Sequence, residues 1–138
     1  MLVEQTDPFQ EDRRLITVGI CAQSKKVKAK PMEEILKRLE EFEFLRILIF
    51  SDTLIHDKPI EEWPFCHVLI SFHSKGFPLS KTQEYARLHR PFLINDLDKQ
   101  LELLDRVRVH EILQQTDIPQ PRYGVIRRTL NKGTDRIR

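Results

Sequence analysis

The chain has 138 residues, 40% apolar and 32% charged, with a formal net charge of +2. That length and composition suit one folded domain with a well-solvated surface, and no apolar run nears the ~20 residues of a membrane span. The charge is unevenly spread: residues 120–138 hold six basic residues against Asp135, a net +5, so the first 119 residues sum to −3. A mildly acidic body with a basic tail is not the pattern of a general nucleic-acid binder, and the tail lacks aromatic interleaving beyond Tyr123. The N-terminus has neither a basic n-region nor a long apolar stretch, so no signal peptide is expected and the chain reads as cytoplasmic. Cys21 and Cys66 fall in strand-like runs and read as buried, reduced thiols.

In chain order, residues 1–14 mix charges with Pro8, show no periodicity and read as a loose lead-in. Leu15 to Cys21 is nearly all apolar and β-branched, as a strand buried on both faces must be. Residues 22–31 form a basic connection with Lys25, Lys26, Lys28 and Lys30 and no acid. From Pro31, the positions Met32, Ile35, Leu36, Leu39 and Phe42 trace one apolar face of a helix. Phe44–Phe50 reads as a second strand, 51–64 as a connection with at most a short helix, and Phe65–Ser71 as a third strand. A turn-rich loop, Phe72–Pro78, leads to a helix from Leu79 to about His89 and a short fourth strand over Pro91–Asn95. From Asp96 the pattern turns helical, with Leu97, Leu101 and Leu104 on one face and, after a break near Asp105, Val109, Ile112 and Leu113 continuing it. Pro119 and Pro121 stop that helix, Tyr123–Ile126 reads as a last short strand, and the basic tail of 128–138 as disordered. This order predicts an α/β three-layer sandwich with a mainly parallel sheet of about four strands.

In such sheets ligands sit beyond the carboxyl ends of the strands. The lysine connection, the Phe72–Pro78 loop and Asn95-Asp96 gather at that edge. The lysines suit an anion, and the following helix offers backbone N–H groups and the positive end of its dipole, although Glu33 and Glu34 in its first turn oppose one. Neither Gly-x-Gly-x-x-Gly nor a P-loop is present, so the lysines would act as point charges. His73, Ser74, Lys75 and Gly76 form a second candidate cluster, and Asn95 and Asp96 read as helix caps. His56, His67, His89 and His110 lack ligand spacing, and no nucleophile–base constellation is visible.

Taken together, several segments resemble one family: Val18-Gly-Ile-Cys21, Lys25-Lys26 with Lys30-Pro31-Met32, the run Leu69-Ile-Ser-Phe-His-Ser-Lys-Gly-Phe-Pro-Leu79, Phe92 through Leu97, Asp105-Arg106, and Ile118-Pro119 with Pro121-Arg122-Tyr123. They resemble the N-terminal part of the kinase domain of the diphosphoinositol-pentakisphosphate kinases, bifunctional inositol hexakisphosphate kinases whose catalytic module has the ATP-grasp fold. The resemblance implies a Rossmann-like, pre-ATP-grasp α/β domain over residues 15–127. It implies ATP and magnesium as cofactors. The ATP γ-phosphate would pass to a phosphate of inositol hexakisphosphate or diphosphoinositol pentakisphosphate, forming a diphosphate. By motif match Lys25 and Lys26 take the family's substrate-phosphate role and Arg106 its role at the ATP phosphates. No catalytic residue or metal ligand is carried over; the metal carboxylates and the adenine pocket are expected outside this chain. The chain is therefore expected to be an N-terminal segment without kinase activity of its own. The alternative is a non-catalytic α/β module that binds polyanions or a protein partner through the lysine loop and basic tail.

Overall fold

The computed structural model of the chain describes residues 15–126. The lead-in expected over 1–14 and the basic tail expected over 128–138 lie outside the described residues, as does Arg127. The described residues fall into two compact units, one up to Leu101 and one from Glu102.

Four strands form the sheet of the first unit: β1 (Ile16–Cys21), β2 (Leu45–Ile49), β3 (Val68–Ser71) and β4 (Phe92–Leu93). Their spatial order is β2-β1-β3-β4, and every neighbouring pair is parallel. In register, Gly19 stands opposite Leu48 on one side and Leu69 on the other. The helices of this unit are α1 (Ser24–Val27), α2 (Lys30–Glu40), α3 (Asp52–Asp57) and α4 (Leu79–His89).

The period-two alternation of β1 feeds two separate cores, as a strand covered on both faces requires. Val18 and Ile20 pack with Val27 of α1 and with Met32 and Leu36 of α2. Cys21 points to the other face, where Phe50, Ile55, Trp63, Leu69, Leu79 and Tyr85 are buried together. Phe50, Trp63 and Tyr85 form a three-ring cluster with centroids 5.5–5.8 Å apart. Lys81 closes α3 beneath it: its ammonium donates to the carbonyls of Ile55, His56 and Lys58 at 2.8, 3.1 and 2.7 Å. The α/β sandwich expected from the sequence is what forms, with the parallel sheet extending to all four strands.

Several local expectations are corrected. The lysine connection holds the one-turn helix α1, anchored by buried Val27. Residues 96–104 make no α-helix: they run through turns into a 3-10 turn at Glu102–Leu104; the break expected near Asp105 is present, and α5 (Arg106–Leu113) begins after it. Leu97 is 3% exposed, whereas Leu101 and Leu104 are 54% and 64% exposed, so the three leucines share no buried face. Tyr123–Ile126 forms no strand; the Tyr123 ring stacks on His110 at 4.0 Å and its hydroxyl accepts from Gln114 at 2.7 Å. No helix of the described residues is long and apolar enough to cross a membrane.

Gly19 marks the tightest point of the sheet. A Cβ built there would stand 2.7 Å from the Cys66 sulfur and 3.3 Å from a Phe50 ring carbon. Both neighbours are fully buried and have little room to give. Gly19→Ala should therefore destabilise the chain by about 1–3 kcal/mol, read as a lowered urea midpoint; an unchanged midpoint would contradict this packing.

Candidate functional site

The strand order places the point where chain direction reverses between β1 and β3. From β1 the chain moves outward to β2, then returns to β3 and goes on to β4. Ligand crevices of parallel sheets open beyond the carboxyl ends of the two strands at this point. Here those ends lead into the lysine segment after Cys21 and into the Phe72–Pro78 loop. The sequence-predicted residues Lys25 and Lys26 lie on α1 at this edge, and both are exposed, as are Lys28 and Lys30. Among the described residues, none of these four lysines forms an ion pair.

Four residues away, α2 begins with Ala29 as its N-cap and no side-chain capping bond. Pro31 stands in the first turn with Glu33, whose charge complements the dipole. Helix α1 is different. Its first N–H, from Ser24, donates to the Asp52 carboxylate at 2.9 Å. That backbone bond holds the Asp52 carboxyl below the usual carboxylate range. The anionic partner of α1 is thus part of the fold, and an incoming anion would meet lysine side chains.

Two loops of this edge are joined by side-chain amides. The Gln23 carboxamide oxygen accepts from the Ser74 hydroxyl at 2.7 Å, and its nitrogen donates to the Lys75 carbonyl at 3.3 Å. Gln100 accepts from the His73 N–H at 2.8 Å and donates to the Ser71 carbonyl at 3.0 Å. Asn95, expected as a helix cap, instead accepts from the Ser71 N–H at 3.3 Å. Only Asp96 behaves as a local cap, receiving the N–H groups of Asp98 and Lys99. Sequence reasoning missed Gln23, Asp52 and Gln100, because their partners lie 27 to 52 residues away. Gly76, with φ of 85°, takes the left-handed turn that follows Lys75 and that glycine adopts without strain.

Arg106 belongs to the second unit. It is the first residue of α5, exposed, directly after Asp105, whose carboxylate caps the helix by accepting from Val107 and Arg108. With Leu103, Leu104, Val109 and His110 it lines a cavity of about 540 Å³. Arg108, its neighbour, is committed to Glu102 and Glu111 at 3.2 and 3.3 Å.

Nucleophilic chemistry finds no support in the cysteines. Both are free and buried; burial pushes the Cys21 thiol up to about 12 and raises Cys66 as well, so both stay protonated. Among the described residues, no group of three His, Cys, Asp or Glu side chains could hold a metal ion.

Fold and site together define a doubly wound α/β domain with an exposed cationic edge at its switch point. Residues 16–105 match the family described as diphosphoinositol pentakisphosphate kinase 2 N-terminal domain. Relatives agree. An inositol hexakisphosphate and diphosphoinositol-pentakisphosphate kinase 1 from Rattus norvegicus is 48% identical over 128 residues, covering 93% of this chain and 9% of that protein. The kinase 2 of the same name from Homo sapiens is 49% identical over 118 residues, 86% of this chain and 10% of that protein. The Saccharomyces cerevisiae enzyme is 46% identical over 104 residues, 75% of this chain and 9% of that protein. The chain belongs to the diphosphoinositol pentakisphosphate kinase family, through that family's N-terminal domain. It spans about a tenth of the length of these curated relatives.

The Asp52 bond predicts an acid-side weakness. A carboxyl held below its ordinary value of ~3.9 contributes stability that is fully present above that value and lost as pH falls through the lowered one. Acid titration of unfolding should show a loss in the wild-type chain that Asp52→Asn, already uncharged, lacks. Parallel acid profiles for the two chains would contradict the bond.

Proposed function

We propose that this chain is part of an inositol polyphosphate kinase working on soluble substrates in the cytosol, with each of its two units contributing phosphate contacts of its own. Lys25 and Lys26 face the phosphates of inositol hexakisphosphate or diphosphoinositol pentakisphosphate, and Arg106 faces the phosphates of ATP. The reaction moves the ATP γ-phosphate onto a substrate phosphate and leaves ADP and a diphosphate. The single observation that carries the reading is the run of exposed lysines at the switch point, without an ion pair among the described residues, in a chain whose relatives are named as kinases of these substrates.

The chemistry fits the residue types. A ring crowded with phosphates has a very high negative charge density, and several ammonium groups on flexible stems can follow it where a rigid glycine-rich cradle would fit only one phosphate pair. Phosphoryl transfer asks a protein for positioning and positive charge, with little covalent work. Lys25 and Lys26 contribute charge and orientation to the acceptor. Arg106, with a planar fork of donors, can take two phosphate oxygens at once. Magnesium, when bound, neutralises charge on the transferred group; the described residues do not fit it, and its ligands and the adenine pocket belong to the ATP-grasp lobes that the resemblance implies.

Calorimetric titration of the purified chain with inositol hexakisphosphate tests this. Binding should weaken steeply between about 50 and 200 mM salt, as exposed charge pairs do when the Debye length shrinks. Lys25→Ala with Lys26→Ala should lower affinity about tenfold or more, while Arg106→Ala should leave inositol hexakisphosphate binding unchanged. Wild-type affinity and salt dependence in the double lysine variant would refute the assignment.

A further inference from the structure

The geometry points to Gln23 as a positioning residue that holds the Lys25–Lys26 turn against the β3 loop. The inference rests on the substrate role proposed for the two lysines. Helix α1 has only four residues, far too few to stand by itself in water. Its orientation, and with it the direction of Lys25 and Lys26, must come from anchors outside it. Among the described residues there are three. Val27 is buried in the core below, and the Ser24 N–H is held by Asp52. Gln23 is the third, and the one that links the turn to the other side of the switch point.

Gln23 occupies the N-cap position of α1 yet makes no capping bond with its side chain. Both ends of its amide are used across the crevice instead. The Ser74 hydroxyl donates to its oxygen and its nitrogen donates to the Lys75 carbonyl. The Lys75 carbonyl can only accept, which fixes the amide orientation. The receiving loop is itself held. Gln100 binds the backbone on both sides of Phe72, at Ser71 and His73, and Asn95 binds the Ser71 N–H. The left-handed turn at Gly76 follows directly on the Lys75 carbonyl. A chain of amide bonds therefore runs from the end of β3 to the lysine turn. Gln23 touches no substrate phosphate in this account; it sets where the lysines that do are held.

The test is a double-variant cycle on inositol hexakisphosphate binding by the full chain, with thermal unfolding measured beside it. Gln23→Met keeps length and removes both bonds; Ser74→Ala removes one of them from the other side. Each should weaken binding about 2- to 10-fold, the worth of one or two hydrogen bonds, with a small change in unfolding temperature. The double variant should bind no more weakly than Gln23→Met alone, since the two act through one contact. Wild-type affinity in Gln23→Met, with weak binding in Lys25→Ala/Lys26→Ala, would overturn the positioning role and leave the substrate reading intact. Fully additive losses would also overturn it. Unchanged binding in the lysine pair would remove the substrate reading and this inference with it. If Gln23→Met fails to fold, Ser74→Ala decides alone: wild-type affinity counts against the clasp, and weakened binding at unchanged stability supports it.

Discussion

Strand β1 pairs in parallel with β2 on one edge and with β3 on the other, and the remaining architecture follows from that double pairing. A strand in this position must be apolar on both faces, must let a neighbour come close at Gly19, and must hand the chain on at its carboxyl end. Because the next strand in sequence lies on one side and the one after it on the other, the loops leaving β1 and β3 face each other across the switch point. The lysines are functional candidates because of where β1 ends, more than because of their number.

The two cores divide the labour. The face under α1 and α2 is small, and its buried Val27 is what carries the lysine turn. The opposite face holds the large aromatic cluster and, with Lys81 closing α3, most of the rigid mass. Between them the side-chain amides of Gln23, Asn95 and Gln100 bind main-chain groups at and just beyond the end of β3. The edge that carries the cations is thus fixed by neutral hydrogen bonds and by one carboxylate, Asp52. The lysine charges remain open to solvent and to an anion.

Much of this was legible in the sequence. Leu15–Cys21 read as a strand buried on both faces from its nearly unbroken apolar run, Phe44–Phe50 read as a second strand in spite of Arg46, and Met32 and Leu36 showed the buried stripe of α2. What could not be read lies below or beyond the reach of periodicity. Four residues of α1 are too few to show a helical repeat. Leu97, Leu101 and Leu104 have helical spacing, but the chain turns between them and only Leu97 enters the core. Tyr123–Ile126 is β-branched and aromatic yet has no strand partner, and Tyr123 is spent on His110 and Gln114. Gln23, Asp52, Asn95 and Gln100 look like ordinary polar loop residues, and only the fold brings their distant partners within reach. The family motif around His73–Lys75 was the most specific signal in the chain; its main-chain bonds to Gln23 and Gln100 give it a place in the site that pattern alone could not.

The central claim is that the switch-point edge is where a polyphosphate lands. Amide hydrogen exchange of the purified chain, with and without inositol hexakisphosphate, measures this directly. The account predicts slowed exchange concentrated in residues 23–30 and 72–77, lost when salt is raised. Protection confined to residues 127–138, or spread evenly over the chain, would contradict it.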